Sequence, residues 1–201
     1  MDERRQGLGE DLLLLCEHEE VVTLGRGAQR AGREAGELAG VRQAGIPVLE
    51  IERGGAATYH GPGQLVGYPI VRLGAQERDL HAFLRKLEEA LIRTLGRLTP
   101  LSVGRQPGLT GVWTEGSPGL PPQKLASIGI ACRGWVTYHG FALNLSTELA
   151  RLSLFRPCDL GAERYTSLAA LGQTPPRAQL AACVHAELAS LLGRECPSPS
   201  G

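Results

Sequence analysis

Lysine is nearly missing from this chain. Of its 21 basic residues only Lys86 and Lys124 are lysine, and every other positive charge is an arginine. A guanidinium keeps its proton under any ordinary condition, whereas a buried ammonium can lose one. A lysine retained in such a chain is therefore a candidate for proton chemistry. Lys86 lies on a helix among Arg85, Glu88 and Glu89, which reads as an ordinary solvated face. Net charge is also missing: the formal value is zero. No global field steers the chain to nucleic acid or to a membrane surface, and an acidic partner has to be met by a local patch. No apolar run reaches the length of a membrane span. Paired cysteine motifs are missing as well. Cys16, Cys132, Cys158, Cys183 and Cys196 are odd in number and widely spread, with no Cys-x-x-Cys. That argues against a zinc site and against a disulfide framework, and makes a reducing cytoplasm the expected setting.

What is present suffices for one domain with a real core: 201 residues, 42% of them apolar. The most informative stretch is Arg53-Gly54-Gly55-Ala56-Ala57-Thr58-Tyr59-His60-Gly61-Pro62-Gly63-Gln64. Glycine and proline give this backbone a defined path and leave room beside it. The apolar runs Ile46 to Ile51 and Leu65 to Val71 flank it, so it reads as a strand, a shaped loop and a second strand. Leu12 to Cys16 and Val21 to Leu24 read as buried strands. Residues 25–45 read as loop with a short helix. Apolar residues at 80, 83, 84, 87, 91, 95 and 98 predict a helix over Asp79 to Leu98, with Asp79 as its N-cap. A short strand is expected at Val112 to Thr114. Lys124 to Ala131 and Trp135 to Leu145 are expected as adjacent strands joined through Arg133-Gly134. A short helix over Thr147 to Phe155 and a last helix over Arg177 to Leu192 complete the chain. The expectation is a single α/β domain over 1–195 with a mixed sheet flanked by helices, and a frayed tail over 196–201.

Few residues carry chemistry. Cys158 follows Pro157, whose ring also restrains Arg156 toward extended geometry, so the thiol is placed to act as a nucleophile. Buried cysteine serves equally as a small hydrophobe. Cys16 and Cys183 read as core, Cys132 borders a turn and Cys196 lies in the tail. Lys124 opens a strand whose Leu125, Ile128 and Ile130 pack, leaving its head to reach a cleft at the sheet edge or to snorkel into water. His60 and His139 each precede a glycine, which lets a ligand or another backbone approach. A histidine on a strand is also a common structural donor.

Separated segments match one family together. Arg53 to Gln64, Lys124-Leu125-Ala126-Ser127-Ile128-Gly129, Thr137-Tyr138-His139-Gly140-Phe141-Ala142-Leu143-Asn144, and Pro157-Cys158 with Thr166-Ser167-Leu168 resemble the lipoyl(octanoyl) transferases, in this order and over Leu12 to Leu168. The resemblance implies a fold like that of the biotin and lipoate protein ligases. It implies transfer of an octanoyl group from acyl carrier protein to a lysine on lipoyl domains, those of 2-oxo acid dehydrogenase E2 subunits and of glycine cleavage H protein. It places the thiol nucleophile on Cys158 and the acid/base amine on Lys124. Substrate contacts fall on Arg53 to Gly61, on Ser127, Ile128 and Gly129, and on His139, Gly140, Phe141 and Ala142. A thioester is already activated, so neither metal nor cofactor is implied, and no P-loop is present. Gly54, Gly55, Ala56 and Ala57 would leave space for the acyl chain, whose burial offers roughly 5 kcal/mol.

The chain departs from the family pattern in two places. Asp159 stands where family members usually carry glycine after Pro-Cys, and a carboxylate there raises the thiol's pKa unless Arg156 or Arg164 neutralises it. Only eleven residues precede the Leu12 strand, where the family generally carries a further strand and helix. The expectation is that the natural protein begins upstream, with Asp2 to Gly7 as the end of a helix and its glycine stop. Arg151, Arg156 and Arg164 are the expected docking patch for an acidic carrier. The alternatives left open are an ATP-dependent lipoate or biotin ligase and a non-catalytic carrier-binding protein.

Overall fold

The structure is a computed structural model, which describes residues 2–27, 38–116, 119–155 and 164–194. Cys158, Arg156, Asp159 and the tail over 196–201 lie outside the described residues.

The chain opens with a short helix, α1 (Asp2–Arg5), closed by Gly7 at φ 83°. The Leu8 N–H donates to the Glu3 carbonyl (2.9 Å) and the Gly7 N–H to that of Arg4 (3.1 Å), the glycine stop expected there. Strands β1 (Leu12–Cys16) and β2 (Val21–Leu24) stand where the apolar runs put them, but only β2 is buried; β1 is an edge strand of the larger sheet with Leu12 and Leu14 exposed, not the buried strand expected. A five-residue helix, α2 (Ala39–Gln43), precedes β3 (Val48–Glu50).

The signature then departs from the expected loop. Ala57–His60 is itself a strand, β4, paired antiparallel with β2 from Val21↔His60 to Leu24↔Ala57. The glycines on either side hid it, since they break the apolar pattern that announces a strand. Strand β5 (Gln64–Ile70) follows. Helix α3 (Leu80–Leu98) is capped as expected: Asp79 Oδ1 accepts from the N–H groups of His81 (2.9 Å) and Ala82 (3.0 Å). It buries Phe83, Leu87, Leu91 and Leu95 along one stripe. A hairpin of β6 (Val103–Gln106) and β7 (Leu109–Thr114) extends the short strand expected at 112–114, and β6 was not anticipated. Strands β8 (Lys124–Arg133) and β9 (Val136–Asn144) form the expected hairpin. Its two-residue turn holds Gly134 and Trp135 at φ 58° and 61°, the doubly left-handed geometry of a tight hairpin. A 3-10 helix over Leu149–Leu154 and helix α4 (Arg177–Leu192) follow, and shorter 3-10 turns stand at Ala75–Glu77 and Ala169–Leu171.

The strands form two sheets. The larger runs β1-β5-β9-β8-β7-β6 and is antiparallel throughout; the smaller, β3-β2-β4, is mixed, with β2 and β3 parallel. The mixed sheet expected from sequence is thus the smaller of the two. Helices α3 and α4 cover one face of the large sheet, where Leu91, Leu95, Leu125, Leu143, Leu180 and Val184 close the main core. Fully burying each such side chain stabilises by about 1.5–3 kcal/mol. The small sheet closes a second core with α2 and the 3-10 helix through Val22, Val41, Tyr59, Leu152 and Phe155. The other faces of the two sheets look at each other across a cleft. Among the described residues, no helix is long and apolar enough to cross a membrane.

Candidate active site

The cleft takes its walls from both sheets. Along β4 the side chains alternate, as on any strand. Ala57 and Tyr59 point into the second core, while Thr58 and His60 line the cleft. Opposite them stand Lys124, Ser127, Ile128 and Gly129 of β8, and His139, Gly140, Phe141 and Ala142 of β9. Arg53, Gly54 and Gly55 form one end. The enclosed cavity between the walls is small, about 80 Å³, and opens to solvent.

Two close approaches hold the signature on the large sheet. The Gly54 N–H donates to the Ile130 carbonyl (3.0 Å), and a Cβ on Gly129 would lie 2.9 Å from the Gly54 oxygen. Only glycine at 129 allows that contact. Farther along, Gln64 Nε2 donates to the Tyr59 carbonyl (3.2 Å) and to Asn144 Oδ1 (3.0 Å). Asn144 Nδ2 donates to the Thr166 carbonyl (2.9 Å), and the Thr166 N–H donates to the Lys124 carbonyl (3.0 Å). Gln64, Asn144 and Thr166 therefore join their separate segments beside Lys124.

Arg53 is buried at 6% exposure and fixed in place. Its Nη2 donates to the Thr23 carbonyl (2.6 Å) and hydroxyl (3.0 Å), its Nε to the same hydroxyl (3.2 Å), and its Nη1 to the Gly54 carbonyl (3.0 Å). This cation acts on both histidines. Burial, then the Arg53 charge, lowers the pKa of His139; for His60 the same causes, with His18 added, bring it down to about 4. Both rings are neutral at neutral pH. His139 adopts φ 58°, a conformation rare for a residue with a side chain, and here a backbone outlier sits in a cleft wall.

Lys124 is 5% exposed, and its Nζ lies 4.9 Å from the ring centre of Trp113 and 6.0 Å from that of Tyr165. It reaches the cleft through an irregularity. Val112 pairs with Ala126 but Trp113 pairs with Lys124, so Leu125 is an extra residue on β8. Such a bulge re-aims the side chains around it. Lys124 and Ser127 are three positions apart and would face opposite ways on a regular strand; both line the cleft, while Leu125 and Ala126 enter the main core.

Some expected contacts fall elsewhere. Ala56 and Ala57 pack with the second core. Tyr59 donates its hydroxyl hydrogen to Glu20 Oε1 (2.9 Å), and Gly61 lies against that hydroxyl. Thr23, Ile51, Val66 and Tyr68 line the cleft without having been singled out from sequence. Tyr68, a polar aromatic inside the apolar β5 run, was a legible sign. It shares a 2.6 Å hydrogen bond with His18, whose ring meets that of His60 edge-on at 6.0 Å. Within the expected carrier patch, Arg151 is already engaged. Its Nε lies 2.9 Å from Glu20 Oε1 and 3.3 Å from Glu148 Oε2, though neither contact is aligned as a hydrogen bond. Arg164 donates to the Pro122 carbonyl (3.1 Å) and stacks on Trp113.

A two-sheet cleft of this kind defines a fold class already seen in solved structures. A bipartite lipoate protein ligase from Thermoplasma acidophilum, solved with its E2 lipoyl domain, superimposes with a TM-score of 0.75 at 18% identity, over 96% of this chain and 77% of that one. A lipoate-protein ligase A bound with ATP gives 0.73 at 18% identity, over 93% and 74%. Those likenesses concern the fold. In sequence, residues 1–189 match the lipoyl protein ligase A/B catalytic domain, and the chain belongs to that family. Its relatives include the octanoyltransferase of Geobacter metallireducens, 44% identical over 192 residues, covering 95% of this chain and 83% of the relative. The octanoyltransferase of Solibacter usitatus is 47% identical over 169 residues, covering 84% and 73%.

Proposed function

We propose that this chain is an octanoyltransferase of protein lipoylation, moving the acyl group from acyl carrier protein to a lysine of a lipoyl domain through a thioester on Cys158. Octanoyl transfer follows from the relatives' activity. The observation that supports the relay is the burial of one of only two lysines in a cleft wall that it shares with Ser127, Gly129 and His139 of the matching segments.

The steps balance without an outside reagent. The Cys158 thiolate adds to the carbonyl of the octanoyl thioester, and the tetrahedral intermediate collapses by expelling the carrier's sulfur, which takes a proton from the Lys124 ammonium. The target amine then adds to the new thioester. Neutral Lys124 accepts a proton from the attacking nitrogen, the C–S bond breaks and the Cys158 thiolate returns. The acyl chain lies against Val66 and Ala142, where each methylene buried contributes about 0.8 kcal/mol. Neutral His60 and His139 keep further positive charge away from that chain.

The deciding experiment is intact-mass spectrometry after incubation with octanoyl-acyl carrier protein and no ATP. One octanoyl adduct, absent in Cys158→Ala and discharged by a lipoyl domain, is expected. Full transfer activity in Cys158→Ala would remove the relay, and an absolute requirement for ATP would favour the ligase reading.

A further inference from the structure

We infer that Glu88, a carboxylate behind the large sheet and outside the cleft, positions the Lys124 amine through the backbone of Gly111. The inference rests on the functional reading above only in taking Lys124 as the acid/base group.

Glu88 lies on α3 and, against the solvated face expected around Lys86, is fully buried. Its Oε2 accepts from Arg85 Nη1 (2.6 Å) and Arg105 Nε (3.0 Å). Its Oε1 faces the other way and accepts from the Gly111 N–H at 2.9 Å. Arg105, on β6, donates also to Glu89 Oε2 (2.8 Å) and to the Arg85 carbonyl (3.1 Å). Helix α3 thereby grips the β6–β7 hairpin, and the grip ends on one backbone amide of β7.

That amide belongs to the residue lying on the Lys124 stem. Gly111 has φ 128°, a conformation that side chains rarely allow. A Cβ there would stand 2.4 Å from the Ala126 oxygen and 3.3 Å from Lys124 Cε. Lys124 and Ala126 are the residues on either side of the extra Leu125. Two residues past Gly111, Trp113 places its ring 4.9 Å from the Lys124 Nζ. The backbone packed on the amine's stem and the ring facing its head are thus carried by one short segment, and Glu88 pins that segment from behind. A carboxylate serving only to neutralise Arg85 and Arg105 has no need of the Gly111 amide. A buried polar group left half-satisfied is costly, so charge neutralisation and positioning are secured together.

The scarcity of lysine makes the test direct. Trace acylation with acetic anhydride reports the reactivity of Lys124 against Lys86 and the chain's α-amine in the same sample. Glu88→Gln keeps the side chain's shape but removes the charge that holds both arginines. Gly111→Ala leaves the arginines alone, sets a methyl group against the Lys124 stem and the Ala126 carbonyl, and so tests the contact between this segment and the lysine. In either variant, the Lys124 labelling rate relative to the α-amine should change by about threefold or more. The kcat for octanoyl transfer should fall about tenfold while KM stays within about twofold. A purely structural staple lowers Tm and leaves both the labelling ratio and kcat within about twofold of the native chain, and that result overturns the inference. Should Glu88→Gln fail to fold, Glu88→Asp, which keeps the charge but withdraws the carboxylate from the Gly111 N–H, decides by the same readings. Should the native chain transfer no octanoyl group, the functional reading falls, and the labelling ratio still judges the coupling.

Discussion

His60 offers the sharpest test of the electrostatics of the cleft. Its Nδ1 is shut off from solvent with no hydrogen-bond partner, although part of the ring remains exposed. Burial, reinforced by the Arg53 and His18 charges, brings its pKa from the ordinary 6.5 down to about 4. Between those values the unfolded chain binds a proton that the folded chain refuses. Stability is therefore fully present above pH 6.5 and declines as pH falls toward 4. Linkage gives a loss of about 2 kcal/mol between pH 7 and pH 5, which partial exposure of the ring reduces to about 1.5 kcal/mol. The depressed carboxyls of Glu77 and Glu89, with ordinary values of 4.5, lose their contribution mainly below that range. His139 shares the downward shift but is common to both proteins in the comparison. The assay is urea unfolding of the native chain and of His60→Asn at pH 7 and pH 5. The native chain should lose about 1.5 kcal/mol more than the variant over that interval. Equal losses would mean that His60 is protonated in the folded state and that the cleft carries a charge at this wall.

Other outcomes are equally specific. Lys124→Arg should impair transfer nearly as much as Lys124→Ala, because arginine keeps the charge but cannot serve as a base near neutral pH; substantial activity in Lys124→Arg would reduce the lysine to an electrostatic partner of the thiol. Gly140→Ala should destabilise by about 2–3 kcal/mol in denaturant unfolding, because the new Cβ would lie 2.0 Å from the Gly67 oxygen and 2.6 Å from Pro69 Cδ. Asp79→Ala should cost about 1 kcal/mol by the same measurement, since two amides of α3 lose their acceptor, with no change in kcat.

Much of the site was legible because its residue types are unusual for their places. The buried lysine stood out against a background of arginine. The glycine-rich signature, read as a shaped loop, does bring Arg53, Gly54, Gly55, Thr58 and His60 to the cleft. Ala57 and Tyr59 turn away from the cleft because the segment is a strand whose alternate side chains enter the second core. Thr23 and Val66 carried no mark of their own, being ordinary strand residues whose role depends on which sheet faces which. That Arg151, an expected docking residue, meets Glu20 could not be read locally, because Glu20 lies 131 positions earlier and comes beside it only on folding.

The chain's local chemistry determined α3 with its aspartate cap, the extent of α4, the β8–β9 hairpin and the likeness to a known family. Those signals repeat within a few residues, and short-range periodicity and capping record them. Tertiary structure decided the division into two facing sheets, the extra residue at Leu125 that brings Lys124 and Ser127 to one side, and the neutral state of His60. Each of these depends on groups far apart along the chain, whose proximity exists only after the sheets have packed and the desolvation of one segment by another has been set.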